Sequence, residues 1–373
     1  MTSAVVAPVA VPSEIVSMIC DEVEGTGTLA ILCRTSPSFR AQAQHILYHS
    51  VDLSQREMPA VKSWARSVAR NAHLAERVYS LSLRLPTRTL DISDATKIMR
   101  ALDGCVNLKI LKVECADPRQ RADSTHLWMI DSCSFRLHEF SNHYFTNEDQ
   151  WITKFWKTQT EIRVLSFPQR QIHFPLPAQY LPNLVAVHTP NLSELPTDRP
   201  LQRIRTNLHR DVSHLARYAQ SLRTLDLTRT WLNDYITWFD TIQIIADSLP
   251  LLCHLWLLDS WKYSGPSSLS RTSEQAPTTA IHRLSQLQTF VLHLRNIVRF
   301  VSDNDIEYLM DVPADMEALG MAIMTAHPTL RRTNLGGEVV KEQELTCILR
   351  RTSEGGFHVE HGTQFDSDAF SMF

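Results

Sequence analysis

From Val78 onward one six-residue frame, apolar-x-x-apolar-x-apolar, keeps returning along the chain. It stands as Val78-x-x-Leu81-x-Leu83, Leu108-x-x-Leu111-x-Val113, Ile162-x-x-Leu165-x-Phe167 and Leu222-x-x-Leu225-x-Leu227. It recurs as Leu252-x-x-Leu255-x-Leu257, Leu287-x-x-Phe290-x-Leu292 and Leu330-x-x-Thr333-x-Leu335. Leu184-x-x-Val187 and Leu201-x-x-Ile204 are shorter copies, and Leu137-x-x-Phe140 is a poorer one. Alternation over so few residues marks a short strand. Several copies follow a proline or polar opener, as in Leu181-Pro182-Asn183-Leu184 and Leu249-Pro250-Leu251-Leu252. Between the strands the period becomes helical. Residues 94–102 carry Ile98, Ala101 and Leu102, and residues 233–249 carry Ile236, Phe239, Ile242, Ile245, Ala246 and Leu249. Residues 147–158 open with Asn147 and Gln150, close to a capping box, and place Trp151, Ile152, Phe155 and Trp156 on one side.

Residues 11–53 read as three short helices. Pro12 suits a first helical turn, where its missing N–H costs nothing, and Ile15, Ile19 and Val23 then recur on one face. Gly25 and Gly27 break that helix, and Thr28 can cap the next, whose buried face carries Leu29, Leu32 and Cys33. Ser36-Pro37 is a cap followed by a first-turn proline, opening a third helix with Phe39, Ala43, Ile46 and Leu47 on one side. Helices this short cannot bury their apolar faces wholly on one another, so some of that surface needs a partner. Residues 54–77 form a helical connector in which Val61, Trp64, Ala65, Val68 and Ala69 fall at helical spacing, which makes Trp64 a core residue.

The N-terminal segment resembles an F-box. Val11-Pro12-Ser13-Glu14-Ile15 matches the family's Leu-Pro-x-Glu-Ile/Leu opening, Thr28-Leu29 stands where the family has Asp-Leu, and Ser36 and Phe39 stand in place of Ser-x-x-Trp. The closing Ile46-Leu47-Tyr48-His49-Ser50-Val51-Asp52-Leu53 is similar to the end of many fungal F-box-like proteins. The departures are Val for Leu, a shortened first inter-helix segment, and Phe for Trp. A strand, turn and helix repeated at this pitch resembles a leucine-rich-repeat solenoid. Frame spacing runs from about 17 to about 43 residues and the usual asparagine is mostly missing, so the resemblance is to the degenerate repeats found behind F-boxes. An ordinary α/β domain whose strands share the frame is the alternative.

The fold class expected is therefore α/β. A disordered tail (1–10) precedes a helical F-box-like module (11–53) and the connector (54–77). An irregular solenoid (78–340) then carries a flexible insert at 262–280, rich in Gly, Pro, Ser and Thr. A C-terminal cap and tail occupy 341–373.

Composition narrows the function. The chain has 373 residues, is 43% hydrophobic and carries a net charge of −3, values of an ordinary globular protein with no electrostatic case for nucleic acid or an anionic membrane. Seven cysteines, none in a CxxC pair, sit largely inside apolar patterns, which points to a reduced compartment, cytoplasmic or nuclear. No apolar run is long enough to span a bilayer.

Catalytic motifs are missing. His138-Glu139-Phe140-Ser141-Asn142-His143 places its second His at i+5, off the face that two zinc ligands share. His358 and His361 have no third ligand in sight, and Gly25-Thr26-Gly27 does not extend to a phosphate loop. No GxSxG elbow occurs. No catalytic residue, metal or cofactor is expected. Arg203, Arg205 and Arg210 cluster around one frame, either as a grip for phosphate or carboxylate or as a solvated basic face.

By resemblance, the chain is the substrate receptor of an SCF-type ubiquitin ligase. The module would dock on the Skp adaptor, and through it a cullin, while the repeats capture a target protein. Pro12, Ile15, Ile19, Leu29, Leu32 and Phe39 are the adaptor-binding candidates. The other reading is a repeat-only interaction scaffold whose N-terminal helices cap the solenoid.

In the frame, the fourth and sixth residues point inward and the one between them faces the concave surface. That places Lys112, Ser166, His188, Arg205, Asp226, Trp256, Val291 and Asn334 in one solvent-facing row, the candidate target-binding surface. Trp256 is the exception in size, either covered by a neighbouring loop or a binding anchor.

Overall fold

The structure is a computed structural model. It describes residues 11–86, 90–116, 126–145, 149–167, 179–191, 195–196, 198–208, 212–229, 238–259, 278–295, 298–300, 306–308, 312–339 and 343–362. The 1–10 tail, residues 262–277 of the insert and the last eleven residues lie outside this set. The chain divides into two units, Met1–Ile162 and Arg163–Phe373.

The first unit opens with α1 (Ser13–Asp21), α2 (Thr26–Leu32) and α3 (Pro37–His49). Ser36 caps α3, its Oγ accepting from the Phe39 N–H at 3.3 Å, with Pro37 in the first turn. The N-cap of α2 is Gly25, three residues before Thr28, and no side chain caps it. α3 leads directly into β1 (Ser50–Leu53), a strand that the sequence reading placed within the helical module. The parallel strands β2 (Ser80–Leu85), β3 (Ile110–Cys115) and β4 (Glu139–Asn142) follow in the order β1-β2-β3-β4.

Helices α4 (Met58–Ala69), α5 (Ala72–Ala75), α6 (Ile92–Gly104), α7 (Trp128–Asp131) and α8 (Asp149–Thr158) alternate with these strands. Of the connector stripe, Val61, Trp64, Ala65 and Val68 are buried core, whereas Ala69, at the end of α4, is exposed. Asp94 ties α6 to α4, pairing with Lys62 at 2.5 Å and with Lys97 at 3.1 Å. Those two ammonium groups hold its carboxyl below the usual range, the Lys62 hydrogen bond most strongly.

In the second unit the order is β5 (Val164–Ser166), β6 (Ala186–His188), β7 (Arg203–Asn207), β8 (Thr224–Arg229), β9 (His254–Asp259), β10 (Thr289–Arg295), β13 (Arg332–Val339), β14 (Gln343–Arg351) and β15 (Phe357–Gly362). Pairing is parallel from β5 to β13 and antiparallel between β13, β14 and β15. A separate ribbon joins β11 (Val298–Phe300) to β12 (Ile306–Tyr308). The helices here are α9 (Trp238–Ser248), α10 (Thr278–His282) and α11 (Val312–Ala326). Ser213–Tyr218 is a 3-10 turn.

The recurring frame accounts for the core of both units. Every copy contains a strand, and its first, fourth and sixth positions are buried wherever the frame is complete, from Val78, Leu81 and Leu83 to Leu330, Thr333 and Leu335. In the second unit Leu165, Val187, Ile204, Leu225, Leu255, Phe290 and Thr333 are successive register partners, so the fourth positions stack into one ladder. Burying each aliphatic rung stabilises the fold by roughly 1.5–3 kcal/mol. Parallel strands alternating with helices make the chain an α/β protein of leucine-rich-repeat-like pattern.

Candidate functional site

The first candidate surface lies on α1 and α2. The helical wheel of α1 is turned by one residue from the sequence expectation. Val16 and Cys20 are buried with Leu29 of α2 and Ala43 of α3, and Val23, Leu32, Cys33, Phe39, Ile46 and Leu47 pack around them. Ile15 and Ile19, expected on the same face as Val23, are instead 45% and 43% exposed. Residues 16, 20 and 23 share one stripe at 3.6 residues per turn, and 15 and 19 sit 100° away from it.

Of the six adaptor candidates, Pro12, Ile15 and Ile19 are exposed, Leu29 is core, and Leu32 and Phe39 are half-buried against that core. Met18 and Ile31, both 63% exposed, were absent from the sequence reading. The signal that could have found them is the same helical wheel, once Val16 rather than Ile15 is placed inward. α1 and α2 pack chiefly on α3, and α3 touches both α5 and β1. Arg77 donates to the Ala41 carbonyl at 2.7 Å, and the Tyr79 N–H donates to the His49 carbonyl at 3.0 Å. His49 stacks on Tyr79 with ring centroids 5.0 Å apart.

The second candidate is the strand face opposite the buried ladder. In the first unit Lys112 stands between Ser82 and Ser141 and pairs with Glu139 at 2.9 Å. In the second unit Ser166, His188, Arg205, Asp226, Trp256, Val291 and Asn334 are successive register partners, the alignment expected from the frame.

Exposure divides this second-unit row. Ser166, His188 and Arg205 are partly open, whereas Asp226, Trp256, Val291 and Asn334 are buried. The expectation of a solvent-facing row therefore fails from β8 onward. Trp256 is 8% exposed and packs with Val291, its partner on β10. Two large apolar side chains on adjacent strands gain several kcal/mol when covered, which a rule based on polarity at single positions does not register. Trp256 is thus covered rather than offered as an anchor. Of the loop proposed to cover it, residues 262–277 lie outside the described residues.

The polar half of the row is internally bonded. Ser166 Oγ and His188 Nδ1 are 2.9 Å apart. Arg205 Nε lies 3.1 Å from Asp226 Oδ2. Burial pushes the Asp226 carboxyl up to about 6, against the opposing pull of the Arg205 guanidinium. On the next row of the face, Arg203 is level with Thr224, His254 and Thr289. The His254 imidazole is held below its ordinary range by burial and by the Arg203 charge. Arg210, the third member of the sequence cluster, lies outside the described residues.

Other candidate chemistry resolves into local structure. His138 contacts Glu161 at 3.2 Å, Glu139 lies on β4 and pairs with Lys112, and burial drives His143 down to about 4. These residues flank a strand, not a helix face. His361 contacts Glu317 at 3.1 Å, and His358 lies 3.6 Å from Glu360. Burial raises the Cys105 and Cys133 thiols to about 12, which keeps them protonated. Among the described residues no group of three or more His, Cys, Asp or Glu side chains could hold a metal ion. No helix among them is long and apolar enough to cross a membrane. No protein-family model and no curated protein matches this chain.

Proposed function

We propose that this chain is the substrate receptor of an SCF-type ubiquitin ligase, with α1 and α2 docking on the Skp adaptor and the repeat strands binding the target. The observation that supports this most is the exposed apolar face of α1. Ile15, Met18 and Ile19 face outward while Val16 and Cys20 supply the core beneath them. Neighbouring apolar residues left at a surface mark an interaction site, whereas single ones need no explanation. The proposed role needs no catalytic residue in this chain, since ligation is accelerated by holding the target close to the charged enzyme.

The continuity of α3 with β1, and its packing on α5, favour a second reading in which the N-terminal helices cap a repeat scaffold. Co-expression of the chain with a Skp-type adaptor and a cullin separates the two. A stoichiometric ternary complex is the expected result. A chain that folds but retains no adaptor supports the scaffold reading instead.

A further inference from the structure

β15 ends the sheet of the second unit. It pairs with β14 along its whole length, from Arg351 opposite Phe357 to Thr346 opposite Gly362, and no described strand lies on its other side. Hydrogen-bond parity fixes which backbone groups that open side presents. The Arg351 N–H donates to the Arg331 carbonyl, on the β13 side, and the Thr352 N–H donates to the Gly356 carbonyl, on the β15 side. Directions alternate along a strand, so the backbone groups of Arg350, Ile348 and Thr346 turn toward β15. Their partners His358, Glu360 and Gly362 are therefore used within the sheet. The N–H and C=O of Phe357, Val359 and His361 point outward and have no described partner. The register with β14 has no bulge, and β15 contains neither Pro nor Lys, devices that commonly block pairing at an edge.

From this edge we infer that two copies of the chain join through their β15 strands, antiparallel and centred on Val359. The inference is independent of the receptor reading. Residues directly opposite each other in a sheet share a face, and a twofold axis perpendicular to the sheet keeps each face in place. Such pairing must therefore centre on a residue. Centring on Val359 sets it against its own copy and sets Phe357 against His361 of the second copy. Every outward backbone group of the strand then exchanges hydrogen bonds.

The same register brings His358 beside Glu360 of the second copy, and Glu360 beside His358 of the second copy, at the closely spaced non-hydrogen-bonded positions. Centring on Glu360 would set two carboxylates face to face. Centring on His358 would set two imidazoles together and leave Glu360 opposite a glycine. Charge complementarity thus favours a second copy as the occupant, in one register. Pairing consumes the edge of both copies, so the assembly closes at two. One short strand pair buries less than a standard interface, so the dimer is weak, with a Kd on the order of tens of micromolar.

The test is sedimentation velocity of the full chain at concentrations from well below to well above that value. It should show monomer passing to dimer and nothing larger. Val359→Pro removes an outward N–H that the sheet does not use, a substitution edge strands tolerate, and should abolish the dimer. His358→Glu sets like charges opposite each other and should weaken it by roughly tenfold. The exchange His358→Glu/Glu360→Lys restores opposite charges across the axis and should recover it. Both side chains are exposed, 61% and 41%, and circular dichroism checks that each variant folds.

A full chain that stays monomeric overturns the inference. If a variant lacking residues 363–373 then dimerises, the chain's own C-terminal segment is the occupant instead. A dimer unchanged by folded Val359→Pro uses another surface, and species larger than two contradict closure. Should Val359→Pro fail to fold, loss and recovery in the charge variants decide, and their absence overturns the proposed register.

Discussion

Arg205 on β7 and Asp226 on β8 are register partners, and the Nε of one stands 3.1 Å from the Oδ2 of the other. The pair is lopsided: the arginine side chain is 35% exposed and the aspartate 1%. Asp226 has no hydrogen bond to either oxygen beyond this ion pair. One half-solvated guanidinium does not offset the loss of hydration at a buried carboxylate.

Asp226 should therefore make stability depend on pH in a direction unusual for a carboxylate. Its folded pKa of about 6 lies above the ordinary 3.8, so the folded state holds the proton more tightly than the unfolded state. Its contribution is fully present below about pH 4 and is lost as pH rises through about 6, a cost of roughly 3 kcal/mol at neutral pH. Asp226→Asn should remove that dependence. Urea unfolding of both proteins is expected to give similar midpoints near about pH 4 and a more stable variant at about pH 7.5. A variant less stable than wild type at the higher pH would show that the ion pair is net stabilising.

Thr333 occupies a fourth frame position where the other copies carry an apolar side chain. It lies between Phe290 and Leu349 in register, is fully buried, and its hydroxyl has no hydrogen-bond partner. Thr333→Val keeps the shape and removes the stranded hydroxyl. The variant should gain about 1–2 kcal/mol in thermal or chemical unfolding. A loss of stability would mean that the hydroxyl is bonded in solution.

Trp256 is a packing residue, with Val291 against it. Trp256→Ala should cost about 3–5 kcal/mol of stability, as expected for truncating a buried aromatic. Calorimetric unfolding checks this. A folded variant of unchanged melting temperature would restore the view of Trp256 as an exposed contact.

The strands were legible because their signal is local and redundant. Three of six frame positions are buried, and the residue between the fourth and sixth falls in register across the second unit. The helix predicted over 94–102 extends over Ile92–Gly104, and Ser36-Pro37 opens α3 as its chemistry dictates. The face of α1 was misread by one residue because Ile15, Val16, Ile19 and Cys20 are all apolar, so two adjacent stripes fit the same pattern equally well. What chooses between them is Leu29 and Ala43 on other helices, a tertiary fact. β14 and β15, within the segment expected as a C-terminal cap and tail, pair antiparallel and lie outside the frame, so the recurring pattern does not reach them. Burial of the row from Asp226 to Asn334 depends on what covers a strand face, which no property of the strand itself encodes.

The docking role of α1 is tested most directly by isothermal titration of the full chain with a purified Skp-type adaptor, comparing wild type with Ile15→Ala/Ile19→Ala. Both side chains are about half exposed, so covering what remains of them should supply about 0.7–1.5 kcal/mol each. The double variant is then predicted to bind roughly tenfold to a hundredfold more weakly, with an unchanged melting temperature. No heat of binding from the wild-type chain, or equal affinity for the two proteins, would contradict the proposed adaptor contact.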